Sequence, residues 1–206
     1  MRLSHAIHAK VGDIDLRFET AAELFSPRKL DRGTLAMLSC IHFEPADRVL
    51  DFGCAYGLVG IYAAKVVGAH RVWMLDNDPA AIECTLRNVT LNEVTGVTVL
   101  LSNAFENLHE VGFTKIICNP PYHVNFSLPK LLIEKGFNRL AVGGTLYLVT
   151  KRRRWYENKL KSIFGGCRVR EVESYLVFEA VKKSANYAGM GSRSATAVPR
   201  RRDARG

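Results

Sequence analysis

No two cysteines in this chain are spaced as a CxxC pair. Cys40, Cys54, Cys84, Cys118 and Cys167 are scattered, mostly in apolar stretches, where a reduced cysteine behaves as a small hydrophobe. Disulfides and zinc ligation are therefore not expected. Histidine is sparse as well, with six in the chain. His5 and His8 are near neighbours, but no carboxylate or cysteine completes a ligand set around them, so no metal is expected. Long apolar runs are missing too: none approaches the ~20 residues that span a bilayer. The opening MRLSHAIHAKVGD has only scattered apolar positions and no h-region of a signal peptide. The expectation is an intracellular, cytoplasmic protein without a membrane partner. No internal repeat is visible.

The 206 residues are 48% hydrophobic and 24% charged, which suits one soluble domain with a sizeable core. The net charge is +9, but it is unevenly spread. From Lys182 to Gly206, seven basic residues face one acid, Asp203, so +6 of the charge lies there and about +3 is left for the rest. From Ser184 onward the apolar pattern stops and Ser, Gly, Ala and Arg take over. We expect a folded domain over residues 1–183 and a basic tail over residues 184–206 that is disordered in isolation.

Ile14 to Thr20 alternates apolar and polar residues, as a strand with one wet face does. The loop LFSPRKL leads into a helical stretch from about Asp31 to His42. A regular alternation follows: strand RVLDF, the turn GCAYG, a helix through Val67, strand RVWML and the acidic turn DNDP. Asp78-Pro79 suits the N-cap and first turn of a helix reaching about Asn92. Strands VTVLL and TKIIC come next, then NPPY, a helix from about Leu128 to Leu140 and strand TLYLVT. A helix from Arg153 to Phe164 precedes CRVREV and SYLVFEAV, which form a terminal hairpin. Strands alternating with helices predict an α/β fold with βαβ units and a mainly parallel sheet.

In such sheets ligands bind beyond the carboxyl ends of the strands. There, small residues let backbone amides approach a ligand, and a helix N-terminus favours its anionic part. A Gly-containing turn alone also fits dehydrogenases and kinases. Asp76 narrows the choice. It stands 25 residues after Asp51, at the end of the second strand, where an acid can accept hydrogen bonds from both ribose hydroxyls of an adenosine. Asn103 ends the third strand, where its amide can face an adenine edge. Alone, each would be an ordinary turn residue; the reading rests on polar residues at successive strand ends.

Asn119-Pro120-Pro121-Tyr122 ends the fourth strand. An exocyclic amine on a base is a poor nucleophile because its lone pair is delocalised into the ring. Two fixed acceptors can hold its N–H bonds and favour a pyramidal nitrogen whose lone pair points at a methyl group. The Asn119 side-chain oxygen and the Pro120 carbonyl can be those acceptors. Proline fixes the loop angles, and the Tyr122 ring can stack on an extruded base. Catalysis is then alignment and fixed dipoles, with no strong base needed.

Asp51-Phe52-Gly53-Cys54-Ala55-Tyr56-Gly57, Asp76 and Asn119-Pro120-Pro121-Tyr122 together resemble class I S-adenosylmethionine-dependent methyltransferases of the small methyltransferase domain group. Two matches are sharper. Phe25-Ser26-Pro27-Arg28-Lys29-Leu30-Asp31-Arg32-Gly33-Thr34 and Asn119-Pro120-Pro121-Tyr122-His123 are similar to segments of the ribosomal RNA guanine-N2 methyltransferases of the small-subunit methyltransferase C type. The resemblance covers roughly residues 14–182. It implies a Rossmann-like seven-stranded sheet with a reversed last strand and helices on both faces, and S-adenosylmethionine as methyl donor. It implies that Asp51, Gly53 and Gly57 lie near the methionine part, Asp76 on the ribose, and Asn119, Pro120, Pro121 and Tyr122 on the target base beside His123. Ala55 stands where a glycine is usual and Asn103 where an aspartate is usual; both remain in the expected cofactor set, since alanine is small and asparagine keeps an acceptor. Glu23-Leu24 replaces the usual Gly-Val. Many members carry a second, N-terminal domain that helps bind RNA, and a single-domain form is expected here.

Lys151-Arg152-Arg153-Arg154-Trp155-Tyr156 follows the fifth strand, on the edge where the other strand ends lie. Basic residues beside aromatics suit phosphate contacts and base stacking, so Lys151, Arg152, Arg153 and Arg154 are expected to contact substrate. The Arg200-Arg201-Arg202 cluster suits a nonspecific RNA arm. The leading expectation is an RNA guanine-N2 methyltransferase with ribosomal RNA or a ribosomal subunit as partner. An adenine amine, a glutamine side chain or a noncatalytic RNA-binding module are the alternatives. A dehydrogenase would have no use for Asn-Pro-Pro-Tyr.

Overall fold

Val49–Phe52 (β3), Val72–Asp76 (β4), Phe113–Cys118 (β6) and Leu140–Thr150 (β7) pair in parallel, with Thr98–Leu101 (β5) beside β4. The near-continuous apolar runs of β3, β4 and β6 reflect burial on both faces, as parallel strands require, while edge strand β5 is only half-buried. Tyr175–Val181 (β9) runs antiparallel to β7 and to Arg168–Val172 (β8). The seven-stranded sheet has the order β5-β4-β3-β6-β7-β9-β8, so the last strand of the chain is the reversed one. The computed structural model describes residues 5–20, 30–120 and 126–190.

Alternate side chains send apolar groups to two cores. Val49, Met74, Ile117, Tyr147, Val149 and Val177 face one core, which takes in Arg32–Leu38 (α1), Leu58–Val67 (α2) and Pro79–Leu91 (α3). Leu50, Phe52, Ile116, Leu146, Leu148 and Phe178 face the other, under Ser127–Arg139 (α4) and Arg154–Phe164 (α5). Helices thus cover both faces. Asp51 lies between Leu50 and Phe52, so its carboxylate enters the α2 core. At the opposite end of the sheet, Asp47 is buried with the Lys115 ammonium at 2.6 Å and the Thr114 hydroxyl at 2.6 Å. Burial alone would raise this carboxyl; those donors outweigh it and hold it below its ordinary value.

The expected one-sided strand is β2 (Ile14–Thr20), with Leu16, Phe18 and Thr20 buried. Its partner was not anticipated. His5–Val11 (β1) pairs with it antiparallel around the two-residue turn Gly12-Asp13. Ile7, Ala9 and Val11 are buried, an alternation hidden when those residues are judged only for a leader's apolar run. The outer edge of β2 is satisfied by a helix. Asn88 on α3 accepts from the Glu19 N–H at 2.7 Å and donates to its carbonyl at 2.9 Å. Asn92 brackets Arg17 in the same way, at 3.0 and 2.6 Å. Two asparagine amides thereby imitate a neighbouring strand.

Three boundaries differ from expectation. α1 ends at Leu38 because Cys40 and Ile41 donate to Met37 and Leu38, tightening the chain into a turn. β7 begins at Leu140, before Gly143-Gly144, whose irregular backbone shifts the register against β6. Residues 184–190, placed in the tail from sequence, fold back on the body. The Tyr187 ring packs edge-on against Phe137, and its hydroxyl donates to the Glu134 carbonyl at 3.0 Å. One aromatic in a polar stretch is enough to anchor it. Residues 191–206, with the Arg200-Arg201-Arg202 cluster, lie outside the described residues.

Candidate active site

β3, β4 and β6 end on the same edge of the sheet, and each delivers a polar side chain there. Asp51 on β3 is 2% exposed and accepts the Gly60 N–H at 2.8 Å, tying the first turn of α2 to the strand. Burial pushes its carboxyl up to about 7; the Gly60 N–H opposes this, and the nearby Asp76 carboxylate adds to it. α2 can sit this close only because residue 60 is glycine. A Cβ there would lie 2.2 Å from the Met74 sulfur.

The loop between β3 and α2 is held from β4. Asp76 accepts the Ala55 N–H at 2.9 Å with one oxygen and the Asp78 N–H at 3.1 Å with the other. The Thr85 hydroxyl on α3 donates to the Ala55 carbonyl at 3.0 Å. Gly53 has φ +78°, and a Cβ built on it would meet nothing within 4 Å. It combines a turn that favours glycine with open space over the backbone. Gly57 caps α2 with φ +93°. Ala55 also has a left-handed φ, +52°, a conformation that costs an L-residue ~1–2 kcal/mol. The change from the usual glycine therefore strains the loop, and Asp76 and Thr85 hold it in place. Ala55→Gly is expected to raise stability by about 0.5–1 kcal/mol, the relieved strain exceeding the extra freedom of the unfolded chain. Urea unfolding of the two proteins measures it.

Asn119 follows β6 directly. Its amide nitrogen donates to Asp31 Oδ1 at 2.7 Å and to Thr34 Oγ1 at 2.9 Å. Its oxygen is buried and accepts no hydrogen bond among the described residues. Asp31, Thr34, Asp51, Gly53, Cys54, Ala55, Tyr56, Leu58, Val59 and Asn119 line one cavity of about 30 Å³. Burial, and the Asp31 carboxylate nearby, push the Tyr56 phenol well up, so it stays protonated.

These positions fit a cationic, adenosine-bearing cofactor. The fold gathers two carboxylates, an open glycine backbone and the N-terminus of α2 at one strand edge. The model of the methyltransferase small domain matches residues 15–179. The chain belongs to that family. S-adenosylmethionine is its cofactor. Among solved structures, it is similar to a T. thermophilus 16S rRNA N2 methyltransferase (RsmC) in complex with AdoMet and guanosine. That pair is 26% identical with a TM-score of 0.77, over 88% of this chain and 51% of the other. TrmN from Thermus thermophilus shares the fold at 22% identity and TM-score 0.63, over 73% of this chain and 48% of that one. A ribosomal protein L11 methylase from Lactobacillus delbrueckii subsp. bulgaricus shares it at 17% and 0.63, over 81% and 91%. The chain spans about half the length of the two Thermus structures.

Not every residue expected at the site gathers at the cavity. Asp51, Gly53, Ala55 and Asn119 do, and Asp76 adjoins it through Ala55. Asn103 does not. It is exposed after β5, donates to Glu106 at 2.9 Å, and lines a second cavity of about 350 Å³ with Phe105, Leu131, Lys135 and Arg139. Pro120 is buried. Pro121, Tyr122 and His123 lie outside the described residues, as do residues 25–29 of the Phe-Ser segment. Lys151, Arg152, Arg153 and Arg154 are all exposed at the end of β7, the strand beside β6. Arg152 lies 5.3 Å over the Phe126 ring, which stacks on Trp155 at 4.3 Å. Arg153 is partly neutralised by Glu157 at 3.1 Å. Asp31, Thr34 and Phe126 were given no role from sequence. Asp31 and Thr34 could have been found in the Phe-Ser segment, but their 85- to 88-residue separation from Asn119 left no local signal. Among the described residues, no group of three or more His, Cys, Asp or Glu could hold a metal, and no helix is long and apolar enough to cross a membrane.

Proposed function

We propose that this chain transfers a methyl group from S-adenosylmethionine to an exocyclic amino nitrogen of an RNA base, guanine N2 in ribosomal RNA, and works in the cytoplasm. The observation that carries this is the Asn119 amide. Its nitrogen is spent on Asp31 and Thr34, while its buried oxygen is left without a partner among the described residues. A buried acceptor without a donor costs ~1–3 kcal/mol, and a substrate N–H would recover it. The resemblance to a structure with AdoMet and guanosine bound supports the same reading.

The cofactor supplies an electrophilic methyl on a positively charged sulfur. Asp76 would hold its ribose hydroxyls, each carboxylate oxygen keeping a lone pair beyond its backbone bond. Asp51 and the loop from Gly53 to Gly57 would surround its methionine part. The Asn119 oxygen and the Pro120 carbonyl would accept the two N–H bonds of the target amine. Held so, the amine's lone pair would point at the methyl group, and the proton shed on methylation would pass to water. The exposed run Lys151 to Arg154 and the arm after residue 190 would meet phosphates.

Charge predicts a pH dependence. At pH 6 the Asp51 carboxyl, pushed up to about 7 by burial, is largely protonated. A cationic ligand favours its ionised form. Binding should therefore release a proton below pH 7, and affinity should rise with pH up to about 7 and then level off. Calorimetry in buffers of different ionisation enthalpy measures this; an affinity flat from pH 5.5 to 8, with no proton release, would contradict it.

Mass spectrometry of nucleosides tests the reaction. Ribosomal RNA from cells lacking the protein should lose a fraction of N2-methylguanosine that the restored gene returns. Unchanged base methylation, with a methyl missing instead from a protein glutamine, would refute the proposal.

A further inference from the structure

Asp31 takes part in more than helix capping. Its Oδ1 accepts the Thr34 N–H at 2.7 Å, which caps α1, and the Thr34 hydroxyl at 3.2 Å. The same oxygen accepts from the Asn119 amide at 2.7 Å. The Thr34 hydroxyl in turn accepts from that amide at 2.9 Å while donating to Asp31. Thr34 is 6% exposed. The three side chains close into one network joining α1 to the end of β6.

This network has a direction. A carboxylate only accepts, so the amide arm that meets it must be the nitrogen. Turning the amide over would set its oxygen against Asp31. The N–H groups are consumed on this side, and the oxygen is left on the other arm of the planar group. A negatively charged acceptor on the N–H arm also draws charge toward the oxygen, making it a stronger acceptor. Capping alone does not need an acid: Asn and Ser cap as well as Asp.

We propose that Asp31, assisted by Thr34, is a positioning residue that orients the Asn119 amide and leaves its oxygen free for the target amine. This rests on the reading of Asn119 as the amine acceptor. The chemistry accounts for an aspartate here rather than any capping residue. An asparagine at 31 could present its own NH₂ to the Asn119 oxygen, and both amide orientations would become allowed.

Asp31→Asn is therefore the discriminating change, because it keeps the size and the cap. The full chain and its Asp31→Asn and Thr34→Val variants would be compared in three ways. These are calorimetry with S-adenosylmethionine, kcat and KM for methyl transfer to total RNA from cells lacking the protein, and hydrogen exchange of the Asn119 side-chain amide by NMR. Asp31→Asn removes one charge from the cavity wall, so any loss of cofactor affinity should be small beside the loss in kcat. Its kcat should fall about 10–100-fold, the usual cost of losing a partner that orients a functional group, with KM little changed. The Asn119 amide protons, protected in the wild type, should exchange freely. Thr34→Val should show the same pattern more weakly, and decides the matter if Asp31→Asn does not fold. A wild-type kcat in Asp31→Asn, a loss confined to KM or to thermal stability, or unchanged amide exchange would overturn the proposal. If the wild type methylates no RNA, the functional reading falls, and amide exchange still decides whether Asp31 orients Asn119.

Discussion

Asn119→Ala should lower single-turnover methyl transfer by about 100–1,000-fold, the cost of losing a preorganised acceptor, while cofactor affinity stays close to wild type. On the proposed reading the amide oxygen would bond an amine whose N–H groups grow more acidic as the nitrogen becomes pyramidal and positive. Its contribution therefore appears mainly in the transition state, so kcat should suffer more than KM. Asn119 shares a cavity wall with Asp51 and Gly53 but ends a different strand from Asp76, the proposed ribose partner, so its loss should leave that contact in place. The substitution also frees Asp31 and Thr34 from their bonds to it, and Asp31 still caps α1 through Thr34. The helix should survive. Asn119→Asp should fold less readily, because a second carboxylate would then face Asp31. A wild-type single-turnover rate in Asn119→Ala would remove this amide from the chemistry.

Asp76→Ala should weaken S-adenosylmethionine binding by about 100-fold or more, since two hydrogen bonds to a charged acceptor are worth ~1.5–3 kcal/mol each. A second effect adds to the first. Asp76 accepts the Ala55 N–H, and Ala55 is held at φ +52°. Without the carboxylate the loop can relax out of its left-handed turn. Asp76→Asn keeps an oxygen for Ala55 but loses the charge, so it should fall between wild type and alanine. Calorimetry separates the cases. Equal losses in the two variants would point to charge alone, and no loss in either would remove Asp76 from the site.

The parts of this fold that were legible from sequence are those where one local rule decides. β3, β4 and β6 stand out as short apolar runs because they are buried on both faces. The start of α3 is written in Asp78-Pro79, and Asp78 does cap it, accepting from Ala80 at 2.9 Å. Long-range compensation was not legible. Asn88 and Asn92 look like polar helix residues, yet both are buried because β2 offers them a bare edge. Asn103 reads as a strand-end residue facing open space, and its bond to a glutamate three residues on is not announced by that position. Ala55 reads as a mild change from glycine, because size is visible in a sequence and φ is not. The order of Asp51, Asp76 and Asn119 along the chain is enough to place them at strand ends. It could not reveal that Asp31 reaches across to fix the amide of Asn119.

Purified protein, radiolabelled S-adenosylmethionine and ribosomal RNA from cells lacking the protein test the central claim most directly, with digestion to nucleosides and identification of the labelled base. The account predicts label in N2-methylguanosine, abolished nearly completely by Asn119→Ala. Label on a ring nitrogen or carbon, or undiminished label in Asn119→Ala, would contradict it.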